Sequence, residues 1–246
     1  MRILSTLSAL LLSGAALAQN TTCSASSSDA EVVRYASALQ SLTARFYASQ
    51  PVNQTFLSDA TNSSRVSYYQ NIQGIQRDTR LGVRAVQQLG SRVSGFSNPS
   101  CNFTFPNATN GEGYVRNALQ LESNVASALL GATGYTQSPE VAFLLSRLAA
   151  QHIANGIWLA TQQTSVLFLS NSSSLLPAYN PSYVIASGDQ PGRLGQYLQG
   201  CVQAPSNPCG QPFFIGPLIG SVGNSSSATA GSNSASISPT AAARRF

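Results

Sequence analysis

The sequence predicts an all-α fold, a four-helix bundle in which a long crossover joins the second helix to the third. In four stretches apolar residues recur every three or four positions, the spacing that gathers them on one face of a helix. A polar loop of about 20 residues separates the second stretch from the third, and a loop that long fits a crossover running along a bundle. Strand-like alternation is scarce, so no sheet is expected to organise the core.

The first two predicted helices precede the crossover. The first begins at Ser28, which opens a capping box, and ends before Pro51. The second begins near Ser63 or Ser64 and ends at Gly90. Their inward stripes are Val32, Tyr35, Ala36, Leu39, Leu42 and Phe46, then Ile72, Ile75, Thr79, Gly82, Val86 and Leu89. The aromatic residues predicted to pack in the core rather than bind a ligand are Tyr35, Phe46, Tyr47, Tyr68 and Tyr69.

The third and fourth predicted helices follow the crossover. The third spans residues 112–133 and stops at Gly134. The fourth begins with Ser138 as its N-cap and Pro139 at its first position, and it can continue to Leu169. Their inward stripes are Val115, Ala118, Leu121, Glu122, Val125 and Leu129, then Val141, Leu145, Leu148, Ala149, His152, Gly156 and Leu159.

The two ends of the chain differ in composition from the predicted bundle. The first residues combine an arginine, a short apolar run and a small-x-small site, so we expect a cleaved signal peptide and a secreted, extracellular protein. The last residues are of low complexity and rich in Ser and Ala, which predicts disorder. The predicted organisation is a signal peptide 1–18, an arm 19–27, a bundle 28–185, a Pro- and Gly-rich wrapping segment 186–220 with an apolar cluster at 213–219, and a tail 221–246.

Asn-x-Ser/Thr sequons recur in the turn-like stretches of the chain. A secreted chain with several such sites is expected to be a glycoprotein. The sequon asparagines are Asn20, Asn53, Asn62, Asn102, Asn107, Asn171 and Asn224.

All of the cysteines follow the predicted cleavage site, and their even number indicates two disulfides formed in an oxidising compartment. Three pairings are possible. We expect Cys201–Cys209, which closes a short loop, together with Cys23–Cys101, which ties the N-terminal arm to a mid-chain loop. No C-x-x-C spacing occurs, so neither a zinc nor a redox motif is expected.

The distribution of charge along the chain limits the classes of partner that the protein is expected to bind. The net charge is +5, and all 13 basic residues are arginines. They fall singly along the helices, as at Arg77, Arg80 and Arg84, so solvated helix faces explain them better than a nucleic-acid interface does. No membrane anchor is expected either. The positive charge is still compatible with weak association with acidic polysaccharide, such as that of a cell wall. The sequence does not predict the oligomeric state.

Five segments occur in a recognisable order. They are YASALQSLTARFY from Tyr35, CNFTFP from Cys101, ALQLESNVASALLGA from Ala118, RLAAQHIANGIWL from Arg147, and a Pro-rich stretch at 177–185. This series resembles the secreted fungal ferritin-like family, which includes stress-response, desiccation-related and late-sexual-development proteins. The resemblance covers about residues 28–185 and implies a ferritin-like bundle with an extracellular fungal role in stress or development, with the cell wall as an expected place of association.

Bundles of this kind hold two metal ions with a Glu from each of two helices and a Glu-x-x-His from each of the other two. The resemblance carries these positions onto Gln40 and Thr43 in the first helix, Ile75 and Asp78 (or Gln76 and Thr79) in the second, Glu122 in the third, and Ala149 and His152 in the fourth. Glu122 and His152 alone keep a ligand type of the pattern. The resemblance therefore implies a centre that has lost most of its ligands, and no cofactor is expected.

We interpret Glu122 and His152, the single histidine of the chain, as a buried hydrogen-bonded or ion pair. A carboxylate inside a bundle is costly unless it has a partner, and the next helix offers this imidazole. Gln151 or Asn155 could add hydrogen bonds to the pair.

Three alternatives place a ligand or a reaction in the same interior. Glu122, His152 and Asp78 could hold a single ion, or Glu122 and His152 could form an acid–base pair in a small cavity. An apolar molecule could instead occupy space beside Gly82 and Gly156. No other catalytic constellation is found, so a structural protein is expected rather than an enzyme.

Overall fold

The computed structural model of the chain describes residues 29–50, 52–168, 176–208 and 221–222. It confirms the all-α bundle, built from α1 (Asp29–Ala48), α2 (Tyr68–Gly90), α3 (Gly111–Ala132) and α4 (Pro139–Gln163). Several predictions lie outside the described residues: the signal peptide and arm, the apolar cluster at 213–219, almost all of the tail, and Asn20, Cys23, Asn171, Cys209 and Asn224.

The helices pack as two pairs, α1 on α2 and α3 on α4, with the predicted stripes turned inward. The buried apolar residues form one continuous core that includes Tyr35, Leu39, Val125, Leu129 and Leu145. Because interior side chains of all four helices meet there, polar residues on the same stripes are held in a solvent-free interior. This is the interior in which Glu122 and His152 lie.

Helix α2 begins later than predicted, at Tyr68 rather than at Ser63 or Ser64. The residues before it form a 3-10 turn at Phe56–Asp59 and further turns. There the Ser63 hydroxyl donates to the carbonyl of Ser58 instead of capping a helix. Serine hydroxyls stabilise turns as readily as helix starts, which is why the sequence pattern misplaced this boundary.

Helix α4 also ends earlier than predicted, whereas helix α3 has its predicted bounds to within one residue. Helix α3 ends at Ala132 and a 3-10 turn, Thr133–Tyr135, follows. The extension of α4 to Leu169 is wrong, because Thr164 adopts an extended backbone directly after Gln163. The Thr164 hydroxyl accepts a hydrogen bond from the Val166 amide, a local turn that competes with continuing the helix. The start of α4 is as predicted, with the Ser138 hydroxyl accepting from the Val141 amide.

The crossover from α2 to α3 is tied to the C-terminal part of the chain by a disulfide between Cys101 and Cys201, whose Cα atoms are 5.1 Å apart. Both pairings favoured from the sequence, Cys201–Cys209 and Cys23–Cys101, are therefore wrong. The first rested on the ease of closing a short loop and the second on tying the N-terminal arm to a mid-chain loop, whereas the fold brings together two cysteines that are 100 residues apart. Backbone contact at the same place, from the Thr104 amide to the Tyr197 carbonyl, holds the crossover against this segment.

The C-terminal segment wraps around α3. It contains the short helices α5 (Pro181–Val184) and α6 (Gly195–Leu198), and a parallel pair that the sequence did not predict, β1 (Ala178–Tyr179) with β2 (Ser221–Val222). At Gly131 a Cβ atom would lie 1.8 Å from the carbonyl oxygen of Tyr179, so β1 can approach α3 only over a glycine. Among the described residues, no helix is long and apolar enough to cross a membrane.

Candidate functional site

The carboxylate of Glu122 is the common acceptor of a polar network inside the bundle. Its side chain is 0 % exposed. Oε2 accepts from Nδ1 of His152 at 2.5 Å and from the Asn155 amide at 3.4 Å, and Oε1 accepts from the Tyr47 hydroxyl at 2.7 Å. The structure thus pairs Glu122 with His152, as the sequence predicted, and the donors reach the carboxylate from α1 and α4.

The second ring nitrogen of His152 is also engaged. Nε2 lies 2.7 Å from Nε2 of Gln40, and both residues are buried. A carboxamide nitrogen can only donate, so Nε2 of His152 is the acceptor. The ring proton then resides on Nδ1 and points to Glu122, which makes His152 a neutral imidazole beside a carboxylate. Neither nitrogen is left free to bind another group.

The position of Gln40 depends on the glycine opposite it on α2. A Cβ atom at Gly82 would lie 2.2 Å from Oε1 of Gln40, so the carboxamide occupies the space that any larger residue would fill. Thr43, the other α1 position carried over from the resemblance, is buried and donates to the Leu39 carbonyl of its own helix. The first helix therefore contributes an amide to the network and no carboxylate.

The corresponding positions of α2 do not add a ligand. Ile75 and Thr79 are buried, and the Thr79 hydroxyl donates to the carbonyl of Gln76. Asp78 lies at the edge of the bundle, where its Oδ2 accepts from Gln151 at 3.3 Å. The structure therefore does not bring Asp78 to Glu122 and His152.

Gln151 and Asn155 extend the network from Glu122 toward the edge of the bundle. Gln151 donates to the side chain of Asn155, which in turn donates to Glu122, so both amides anticipated from the sequence take part. Ala149 is also buried, at the fourth-helix position onto which the resemblance carries a glutamate. An alanine there supplies no donor or acceptor, and the network closes without it.

These side chains do not fit a di-metal centre. A site of that type needs several carboxylates and imidazoles converging on two ions. In the part of the chain that the structure describes, no three His, Cys, Asp or Glu side chains converge in that way. Where ligands would be required, an amide, a hydroxyl and apolar side chains are present, and both nitrogens of His152 already have partners.

The phenol of Tyr47 is fixed as a hydrogen-bond donor by its surroundings. Burial raises its pKa well above the ordinary value, and the charge of Glu122 and the hydrogen bond to it raise the pKa further. Burial and the same carboxylate raise the pKa of Tyr114, whose ring lies 6.5 Å from that of Tyr47. The hydroxyls of Tyr114 and Tyr35 have no hydrogen-bond partner among the described residues.

Tyr47 and Gln40 are the members of the network that the sequence did not identify as partners. Tyr47 belongs to an aromatic stripe, and its packing against Phe46 fits the predicted core role. A tyrosine on an apolar stripe gives no sign of where its hydroxyl points. The resemblance carries a metal-ligand position of the first helix onto Gln40. That placement is a signal that could have suggested a contact with His152.

The interior offers no space for an apolar ligand beside Gly82, because Gln40 fills it. A Cβ atom at Gly156 would lie 3.6 Å from Cβ of Glu122, an ordinary packing distance. One cavity among the described residues measures about 20 Å³ and lies elsewhere, between Phe105 and Leu121. A space of that size is suited to about one water molecule. An acid–base reaction at Glu122 and His152 would need access for a substrate, but His152 is only 2 % exposed.

The comparison with known families agrees with the architecture. Residues 28–156 match the model of a family described as a ferritin-like domain, and this is more than half of the 246 residues. No curated protein matches the chain. The matched stretch runs from the start of α1 to Gly156 in α4 and so includes Gln40, Glu122 and His152.

Proposed function

The chain belongs to the ferritin-like family, and from that premise we propose that it is a structural member in which a network of protein side chains has replaced the di-metal centre. The observation that carries the proposal is that both ring nitrogens of His152 are hydrogen-bonded. Its Nε2 accepts from Gln40, and its Nδ1 donates to Glu122. These bonds satisfy both ring nitrogens without an ion. A buried carboxylate and imidazole would otherwise need a metal or another compensating partner.

The network connects the four helices of the bundle to one another. Tyr47 and Gln40 extend from α1, Glu122 from α3, and His152 from α4. Helix α2 joins through Gln76, whose amide donates to the Tyr47 carbonyl. Buried polar networks of this kind favour one packing register over others when every member has a partner. The proposed role of the interior is therefore to fix the helices relative to one another.

The proposed setting is extracellular. The signal-peptide pattern supports secretion, and the disulfide between Cys101 and Cys201 is of a kind that persists in oxidising compartments. The sequon residues Asn53, Asn62, Asn102 and Asn107 are exposed, which is compatible with glycans. The resemblance to secreted fungal proteins adds the proposal of a stress-related or developmental role, at or near the cell wall.

Production of the full-length chain in a secreting eukaryotic host tests both parts. We expect the protein in the medium, with Gln19 as its first residue and with glycans on peptides that contain the exposed sequons. Elemental analysis is expected to find iron, manganese and zinc far below one ion per chain. Retention of the chain inside the cell would contradict the proposed setting. One or two ions per chain, lost in a His152→Ala variant, would contradict the proposed replacement of the centre.

A further inference from the structure

The first residues of α3 are fastened to the 3-10 turn Phe56–Asp59. The Gly111 amide donates to Oδ1 of Asp59 at 3.0 Å. Asn110 caps the helix, and its side-chain oxygen accepts from the Gly113 amide at 2.9 Å. The amide of Gly111 and the carboxamide of Asn110 are therefore held by two different partners.

The residue that follows Asn110 has to be a glycine. Gly111 is buried, and a Cβ atom there would lie 2.7 Å from Oδ1 of Asp59 and 2.8 Å from Cα of Leu57. No side chain fits at such distances, so α3 can meet the turn only over a residue that lacks a Cβ atom. The packing of α3 on the turn thus requires an Asn-Gly dipeptide at this junction.

An Asn-Gly dipeptide is prone to deamidation, because glycine has no side chain to hinder ring closure. The glycine amide nitrogen loses its proton and bonds to Cγ of the asparagine, and the bond from Cγ to Nδ2 breaks as ammonia leaves. Water then opens the resulting succinimide at one of its two carbonyls, which gives aspartate or isoaspartate. The net change is hydrolysis of the carboxamide, with water as the only co-reactant.

We infer that Asn110 is a site of spontaneous deamidation and that Asp59 keeps it closed in the folded protein. Ring closure requires the Gly111 nitrogen to face Cγ of Asn110, whereas the Gly111 amide is directed to Asp59 and the Asn110 carboxamide to Gly113. The first step would also create a negative nitrogen 3.0 Å from the Asp59 carboxylate, and two like charges so close are unfavourable. Asp59 is therefore a positioning residue that opposes the reaction.

Deamidation would loosen the start of α3. Isoaspartate adds a methylene group to the main chain and shortens the side chain, so residue 110 loses the reach that caps the helix at Gly113. The neighbouring link between the turn region and α3, from the amide and hydroxyl of Thr61 to Glu112, depends on the same approach of the two segments. The inference does not depend on the interior network or on secretion.

The second Asn-Gly dipeptide of the sequence, Asn155 with Gly156, is an internal reference. It lies inside α4, where the main-chain amide of Gly156 belongs to the hydrogen-bond ladder of the helix. The Asn155 side chain donates to Glu122 and accepts from Gln151. Asp59 does not contribute to its protection, so the two dipeptides respond differently when Asp59 is replaced.

Mass spectrometry of peptides from the full-length protein, kept in mildly alkaline buffer, tests the inference. We expect both asparagines to persist in the folded protein and to deamidate at similar rates in guanidinium chloride. Asp59→Ala is expected to accelerate deamidation of Asn110 by about tenfold or more, the equivalent of a lost hydrogen bond of about 1.4 kcal/mol, and to leave Asn155 unchanged. Asp189→Ala removes the same charge from an exposed position and is the matched control, with no change expected at either site.

The comparison of the two dipeptides distinguishes a local effect from general loosening of the fold. Deamidation of Asn110 in the folded wild-type protein at the rate of the unfolded chain would overturn the inference, as would equal rates in the wild type and in Asp59→Ala. A slower reaction in Asp59→Ala would mean that the carboxylate promotes proton loss, which is the opposite role. Equal acceleration at Asn110 and Asn155 would assign the effect to unfolding and would also overturn it.

Discussion

The carboxamide of Gln40 donates from its nitrogen to Nε2 of His152 over 2.7 Å, joining α1 to α4 through the interior of the bundle. The other ring nitrogen of the same histidine donates to Glu122. His152 is thus held between a neutral amide and a carboxylate, in a place where a family with a metal centre would direct an imidazole toward an ion. The stability of this arrangement can be measured one contact at a time.

Replacing His152 with leucine is expected to lower the free energy of unfolding by about 3–5 kcal/mol, because it removes the closest donor to a buried carboxylate. The double variant Glu122→Met, His152→Leu is expected to be more stable than His152→Leu alone, since the uncompensated charge is gone. Denaturant unfolding of the three proteins provides the values. A loss below about 1 kcal/mol in the single variant would mean that Glu122 does not depend on His152.

Replacing Tyr47 with phenylalanine is expected to cost about 1.5–3 kcal/mol, because its hydroxyl donates to the charged Glu122 in a buried site. Tyr35→Phe is the matched control: this tyrosine is on the same helix and equally buried, but its hydroxyl has no partner among the described residues. We expect the control to be neutral or slightly stabilising. Equal losses of unfolding free energy in the two variants would argue against the bond from Tyr47.

Replacing Gly82 with alanine is expected to destabilise the protein by about 1–3 kcal/mol, because the added methyl group displaces the Gln40 carboxamide from His152. Gly74→Ala, in the same helix, has open space around the added Cβ atom. It is expected to stabilise by about 0.5–1 kcal/mol, the usual gain of alanine over glycine within a helix. Thermal unfolding of both variants distinguishes the steric effect at Gly82 from helix propensity. A stabilised Gly82→Ala variant would contradict the close contact with Gln40.

Peptide mapping under non-reducing conditions is expected to recover a disulfide-linked pair containing Cys101 and Cys201. Given that bond, Cys23 and Cys209 remain as the only other possible pair within one chain. Replacing Cys101 and Cys201 together with serine is expected to cost about 2–5 kcal/mol, because the cross-link closes a long loop. Recovery of a peptide pair containing Cys201 and Cys209 would contradict the fold of the crossover.

The four helices and the pairing of Glu122 with His152 could be predicted because helical periodicity decides which residues face inward. Once both side chains are inside on neighbouring helices, the need to satisfy a buried carboxylate brings them together. The helix ends at Tyr68 and Gln163 could not be placed, because turn-forming serines and threonines give the same local signal as helix caps.

The remaining features depend on how distant parts of the chain come together. The disulfide could not be predicted, since Cys101 and Cys201 meet only after the crossover and the C-terminal segment pack on each other. The hydroxyl of Tyr47 likewise reaches Glu122 only through the packing of α1 against α3. Spacing along one helix contains no information about either contact.

Nitrogen NMR of isotope-labelled histidine tests the proposed replacement of the metal centre most directly, because His152 is the only histidine in the chain. The spectrum therefore contains the signals of one imidazole ring. We predict a neutral imidazole with its proton on Nδ1 and an unprotonated Nε2, and no change when iron, manganese or zinc is added. A ring protonated on Nε2, or signals that shift or broaden in proportion to added metal, would contradict the account.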